Sequence, residues 1–174
     1  ELNGVDYVQG KQNRPAAAKQ WSFPELIAEA EKCEDFPSIV DVNKSCFLAP
    51  DSMIQAIKDE CARTNQSVPV TVGEGMQCVY TSLSLCYKDA IANLQQLTGK
   101  VYTSINIVGG GCQDNYLNMR TAKATGLTVY AGPVEGTAIG NLVVQMIAGG
   151  DLAGLQEARD AIRASFEIKE VPAC

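Results

Sequence analysis

Histidine is absent from the 174 residues of this sequence. Without an imidazole, the chain cannot supply a histidine general acid or base, a Ser–His or Cys–His nucleophile pair, or a His-ligated metal ion. Cationic residues are also few, with 14 Lys and Arg against 20 Asp and Glu and a net charge of -6. Because nucleic-acid backbones are bound by clustered Lys and Arg, we expect no nucleic-acid partner.

Long apolar runs are missing as well. No stretch approaches the ~20 apolar residues of a membrane-spanning helix, and the first residues lack the charged-then-apolar pattern of a signal peptide. We therefore expect no membrane partner and a cytoplasmic location. Hydrophobic residues make up 46% of the chain and charged residues 20%, a balance typical of a globular domain.

The seven cysteines include no C-x-x-C pair. This spacing favours neither a zinc site nor a complete disulfide framework, and it predicts mostly buried, reduced thiols. A bridge between Cys61 and Cys78, at the end of one predicted helix and the start of the next, remains an alternative.

Apolar residues recur at helical spacing over much of the chain. The pattern predicts helices over 23–33, 52–64, 73–97, 113–125, 136–148 and 151–165. The helix over 136–148 is apolar nearly all round, which predicts that it is among the most buried elements. Residues 34–50 predict an ordered loop held to the body by apolar side chains, namely Phe36, Ile39, Val40, Phe47 and Leu48.

Two short β-type runs, 105–108 and 127–131, flank the helix over 113–125. A strand, a helix and a second strand in this order predict two adjacent parallel strands joined by a right-handed crossover, and hence an α/β fold. Two strands alone do not make a stable sheet. The other strands are expected either upstream in a longer parent protein or in segments interpreted here as loop.

Three glycines end the first run, at Gly109, Gly110 and Gly111. Without a Cβ, this backbone can adopt positive φ and approach a ligand closely, and we expect this of Gly110 in particular. The following helix would direct its first N–H groups at the same place, which suits phosphate. The alternative is a purely structural turn, because GGG matches neither the dinucleotide fingerprint nor the Walker pattern.

The glycine turn belongs to a series of motifs: GGGCQ, YLN, TAKATG, VYAGPVEGTAIGN and a late EAR run. Together these motifs resemble the C-terminal domain of sugar kinases of the FGGY family, over roughly residues 19–166. The resemblance implies an actin-like, ribonuclease-H-like fold of two α/β domains, with ATP and Mg²⁺ between them. It also implies transfer of the γ-phosphate to a ketose, with L-rhamnulose favoured and another pentulose or hexulose next.

The resemblance also implies a division of the chain and of its parent. Residues 1–18 align poorly, and 19–174 would be the nucleotide-binding C-terminal domain. The catalytic Asp and the sugar-binding residues would lie in an N-terminal kinase domain of the same parent chain. No catalytic residue is therefore assigned here, and the chain alone is expected to be inactive.

The nucleotide contacts implied by the resemblance lie in and after the glycine turn. Gly109, Gly110 and Gly111 match the family's nucleotide loop, and Gln113 matches a Gln on the adenine side. Asp114 is included as a contact, although the family usually has Asn there. Two further departures are Met119 for the usual Gln and Gly136 for the usual Ala, a size change that the helix start would absorb.

Several polar residues near these motifs have two interpretations. Glu135 could be a catalytic or metal-binding carboxylate, but an acidic residue in a first helical turn is favoured by the helix dipole alone. We interpret Cys112 as an inert thiol that packs the turn, and Asn118 and Asn141 as structural hydrogen-bonding residues of packed helices. For the whole chain, the alternative to a kinase domain is a non-catalytic α/β domain that uses the same loop for binding or assembly.

Overall fold

The computed structural model describes residues 21–173 of the chain. The predictions for residues 1–18 thus lie outside the described residues. The α-helices within these residues are α1 Phe23–Glu31, α2 Met53–Arg63, α3 Val72–Thr98, α4 Asn115–Thr125, α5 Gly136–Gly149 and α6 Leu155–Ser165. The strands in the same range are β1 Ser104–Ile107, β2 Thr128–Ala131 and β3 Lys169–Val171, and short 3-10 turns cover Ser45–Phe47 and Gly110–Gln113. Across residues 21–173, no helix combines the length and hydrophobicity that crossing a bilayer requires.

The chain is divided into two compact units, and the boundary between them lies between Cys86 and Tyr87, inside α3. The first unit packs around a small core made by Val40, Ile57, Cys61 and Cys78. Serine residues at the N-termini of α1 and α2 cap these helices. The Ser22 N–H donates to the Glu25 carboxylate at 2.8 Å before α1, and the Ser52 hydroxyl accepts from the Gln55 N–H at 3.2 Å in α2.

The loop between α1 and α2 is only partly held by the residues predicted to hold it. Val40 is buried, and Phe36 and Phe47 pack against the same core. The prediction is wrong for Ile39, which is 42% exposed, and for Leu48, which is 87% exposed. Polar contacts replace them, since the Gln66 side chain accepts from the Ile39 N–H at 2.9 Å and donates to the Ile39 carbonyl at 2.7 Å.

The cysteines of the described part are unbridged, which rules out the alternative Cys61–Cys78 disulfide in this structure. Cys61 and Cys78 are fully buried in the core. Burial raises the pKa of the Cys78 thiol to about 12, with a further contribution from Cys61. Both thiols therefore behave as small apolar core residues.

The second unit contains a sheet in the order β1-β2-β3. β1 and β2 are parallel, with Ile105 opposite Val129, so the predicted parallel pair is confirmed. β3 lies antiparallel to β2 and was not predicted, so the sheet is mixed. The crossover helix α4 packs on β2 and β3, as the predicted β–α–β order requires.

The predicted burial of α5 is wrong. None of its 14 residues is buried, and Leu142 and Val144 are 58% and 61% exposed. The helix itself forms over nearly the predicted range. The described residues cover only part of the apolar surface of this helix.

Candidate functional site

The candidate site lies where β1 and β2 end side by side. The Gly132 N–H, just after β2, donates to the carbonyl of Ile107 at 2.8 Å, and the Gly109 N–H donates to the carbonyl of Pro133 at 3.1 Å. These bonds hold the turn after β1 next to the turn after β2. In parallel α/β sheets, ligands bind beyond the carboxyl ends of the strands, so this position suits a ligand site.

The three positions of the glycine turn differ in whether their backbone conformation requires glycine. Gly109 has φ +80°, a left-handed conformation that favours glycine, whereas Gly110 and Gly111 do not have positive φ. The prediction of positive φ at Gly110 is therefore wrong. A Cβ added at Gly110 or Gly111 would meet no heavy atom within 4 Å. The described fold does not need glycine at these two positions, and the space beside them is open.

The glycines lead into a 3-10 turn, and α4 begins at Asn115, two residues later than predicted. Gln113 ends the 3-10 turn with an exposed side chain, and Asp114 is the buried N-cap of α4. The Asp114 carboxylate accepts from the Leu117 N–H at 3.0 Å. This carboxylate therefore occupies the N-terminus of α4, the position where an anion could otherwise bind.

A buried side-chain amide below the turn holds the backbone of the turn in place. Asn118 is fully buried, and its Nδ2 donates to the carbonyl of Cys112 at 2.9 Å. Cys112 is buried as well, in agreement with its interpretation as a packing thiol. Asn118 is thus structural as predicted, although its bond to the turn was not foreseen. Asn141 is instead exposed, where it accepts from Gln145 Nε2 at 3.0 Å.

The start of α5 closes the other side of the turn. A Cβ added at Gly136 would lie 2.9 Å from the Cβ of Val108, so the Val108 side chain occupies the room that an alanine would need. Glu135 is the exposed N-cap of α5 and makes no side-chain cap bond. Among the described residues, no group of three or more Cys, Asp or Glu is arranged to bind a metal ion.

One cationic residue near the turn was missed from the sequence. The Lys169 Nζ of β3 lies 3.5 Å from the Asn115 Oδ1, at the start of α4. Its place depends on β3, a three-residue strand without an apolar alternation. The sequence has no local pattern that predicts the position of Lys169, because that position follows from the pairing of β3 with β2.

Comparisons with known proteins identify the family of the chain. The model of the FGGY family of carbohydrate kinases, C-terminal domain, matches residues 6–149. The chain is 42% identical over 149 residues to a rhamnulokinase of Bacillus subtilis, covering 86% of this chain and 31% of the relative. A rhamnulokinase of Enterococcus faecalis is 44% identical over 149 residues, covering 84% of this chain and 30% of the relative.

The matches cover most of this chain but only a small part of each relative. A rhamnulokinase of Bacteroides thetaiotaomicron repeats the pattern, with 38% identity over 148 residues and 30% of its length covered. The chain therefore spans about a third of the length of the curated relatives it matches. Since the family model covers most of the sequence, this chain belongs to the FGGY family of carbohydrate kinases, in the part that forms the C-terminal domain.

Proposed function

We propose that residues 19–174 are the nucleotide-binding C-terminal domain of an ATP-dependent sugar kinase. The reaction is transfer of the γ-phosphate of ATP to a ketose, with L-rhamnulose giving L-rhamnulose 1-phosphate. The observation that carries this proposal is the sequence identity of 42% to 44% with rhamnulokinases of Bacillus subtilis and Enterococcus faecalis across more than four fifths of the chain. Because the reaction consumes ATP, we expect it to take place in the cytoplasm.

The glycine turn is the proposed nucleotide site. Gly109 shapes the turn through its positive φ, and the open space beside Gly110 and Gly111 admits phosphate groups close to the backbone. Gln113 and Asp114 follow the turn, and we assign them to the adenine side. ATP would bring Mg²⁺, which keeps several waters and phosphate oxygens as ligands, so we assign no metal ligand in this chain.

The rest of the chemistry is assigned to the other part of the parent kinase. Phosphoryl transfer depends on positioning both substrates, on Mg²⁺ and on a base for the attacking hydroxyl. We place that base and the sugar site in the N-terminal kinase domain. The proposed partners of this chain are therefore ATP or ADP, the ketose and that domain.

Substitution of Gly110 tests the nucleotide site. In the full-length kinase, Gly110→Val adds a side chain whose Cβ meets no described heavy atom within 4 Å but which enters the proposed ligand space. We expect the Kd for ATP to rise more than tenfold, equivalent to about 1.4 kcal/mol, with sugar affinity and Tm nearly unchanged. Calorimetric titration of ATP and of the sugar measures both affinities.

A matched control is Gly154→Val, because Gly154 precedes α6 and also has nothing within 4 Å of an added Cβ. This variant should bind ATP like the wild type. Unchanged ATP affinity in a folded Gly110→Val protein would reject the proposed site and leave Gly109 as the glycine that the turn requires.

The identity of the sugar is tested separately, by coupled measurement of ADP release with a panel of ketoses. We expect L-rhamnulose to give the highest kcat/KM. A preference for xylulose or another ketose would keep the kinase and change its substrate. ATP binding without transfer to any ketose would instead favour a non-catalytic nucleotide-binding domain.

A further inference from the structure

Three segments of the chain meet beyond the ends of β1 and β2. Two of them, the glycine turn and the turn after β2, are joined by the backbone hydrogen bonds described above. The third segment leads into β3. A Cβ added at Gly132 would lie 2.8 Å from the carbonyl oxygen of Glu167 and 3.5 Å from the Cα of Ile168. The backbone before β3 therefore lies directly against the turn after β2, and the next residue is Lys169.

Strand pairing determines where Lys169 lies. It is opposite Ala131, the last residue of β2, so the antiparallel β3 begins where β2 ends. The Lys169 Nζ lies 3.5 Å from the Oδ1 of Asn115, the first residue of α4 and the second residue after the 3-10 turn. Lys169 thus lies at the edge of the sheet where ligands bind in α/β folds, beside the end of the glycine turn.

The ammonium group of Lys169 has bonding capacity left for a ligand. Its side chain is exposed, and among residues 21–173 it forms no ion pair with a carboxylate. Its contact with Asn115 is to a neutral amide oxygen and is longer than an ordinary N–H···O bond. Because a lysine carries three N–H donors, most of its capacity is available to an anion.

Acidic side chains belong to each of the surrounding segments. Asp114 is the N-cap of α4, Glu135 is the N-cap of α5, and Glu167 precedes β3. Like charges repel, so these carboxylates disfavour the phosphate chain of ATP. A cation of the protein beside the glycine turn offsets this repulsion, and Lys169 is placed to supply it.

We propose that Lys169 binds a phosphate group of the nucleotide at the glycine turn through its Nζ. This inference rests on the proposed nucleotide site and adds a binding residue to it. The family model matches residues 6–149, so Lys169 lies outside the part of the chain to which the family similarity applies. Lysine binds phosphate as a point charge, and its flexible stem allows Nζ to move from Asn115 to the ligand. Lys169 therefore recognises the phosphate chain and not the adenine.

Removal of the charge tests this role. In the full-length kinase, Lys169→Gln should raise the Kd for ATP about fivefold or more and leave the Kd for adenosine unchanged, because adenosine has no phosphate. Lys169→Arg keeps the charge and should bind ATP within about twofold of the wild type. Calorimetric titration measures each affinity. Equal weakening of ATP and adenosine binding would overturn the proposal, because Lys169 would then act through the fold.

The matched control is Lys123→Gln. Lys123 is an exposed residue in the last turn of α4, about 12 Å along the helix axis from Asn115. Its substitution removes the same charge from the other end of the helix and should leave ATP affinity unchanged. If Lys169→Gln bound ATP as well as Lys123→Gln does, the proposed role of Lys169 would be wrong.

The Gly110→Val variant separates this proposal from the one on which it rests. Weakened ATP binding by Gly110→Val together with unchanged binding by Lys169→Gln would keep the nucleotide site and reject only Lys169. Unchanged ATP binding by both variants would reject the nucleotide site and Lys169 with it.

Discussion

Glu60 shows how much one buried side chain can depend on its neighbours. Its carboxylate accepts from Lys44 Nζ at 2.5 Å and from Arg63 Nε at 2.8 Å, while its side chain is only 7% exposed. The hydrogen bonds from Arg63 and then Lys44 lower the pKa of Glu60 to about 2. The three residues thereby attach the loop before α2 to α2 itself.

The lowered pKa predicts an acid-sensitive contribution to stability. The unfolded chain binds this proton near pH ~4.3, whereas the folded protein binds it only near pH 2. The stabilisation is therefore complete above the unfolded pKa and is lost as pH falls from about 4.3 towards 2. In urea unfolding, the difference in stability between wild type and Glu60→Gln should shrink over this range.

The control is Glu31→Gln, at an exposed position that ends α1. It makes the same change of charge outside this group of ion pairs. A Glu60→Gln difference that changes with pH no more than the Glu31→Gln difference would mean that the ion pairs with Lys44 and Arg63 do not persist in solution.

At the scale of elements, α1 and α3 approach each other at Gly73. A Cβ at this position would collide with the carbonyl oxygen of Glu29 and lie 2.8 Å from Cys33 Sγ. Gly75, two residues further along α3, has nothing within 4 Å of an added Cβ. Substitutions at these two glycines therefore distinguish the effect of close helix packing from the effect of helix propensity.

Alanine at these positions should act in opposite directions. We expect Gly73→Ala to destabilise the protein by ~1–3 kcal/mol through overpacking. Gly75→Ala should stabilise it by ~0.5–1 kcal/mol, because glycine in a helix interior loses more backbone freedom than alanine. Denaturant unfolding of both variants measures the difference, and equal changes would show that α1 and α3 are not closely packed.

The elements that sequence predicts well are those with a repeated local signal. α3 has apolar residues at helical spacing over many turns, and β1 and β2 are apolar runs ended by glycine. β3 escaped prediction because two of its three residues are charged and its order comes from pairing with β2. The burial of α5 was predicted wrongly because apolarity does not reveal which part of the molecule lies against it.

The sequence also predicts the candidate site only in part. The position of the glycine turn follows from the sequence, but a run of three glycines does not indicate that only Gly109 has positive φ. The start of α4 at Asn115 depends on the 3-10 turn before it, which has no distinct pattern. The Asp114 cap agrees with a general preference for Asp at this position, whereas Lys169 depends on tertiary structure alone.

At the scale of the whole molecule, we expect this chain alone not to catalyse the phosphoryl transfer proposed for its parent kinase. It spans about a third of its rhamnulokinase relatives, and both substrates must be enclosed for phosphoryl transfer. We therefore expect the purified 174-residue chain to show no sugar-dependent release of ADP. Turnover of L-rhamnulose by this chain would contradict the prediction and direct attention to Asp114 and Glu135 as bases, with Asp114→Asn and Glu135→Gln as the variants to examine.

The position of β3 has a consequence for where this domain can be cut. The family match ends at residue 149, whereas α6 and β3 follow it and β3 covers one edge of β2. A boundary drawn from family similarity would thus pass through the sheet and leave β2 with an exposed edge. Because such edges pair with other chains, we expect a protein shortened at residue 149 to aggregate and one shortened after Val171 to remain dispersed.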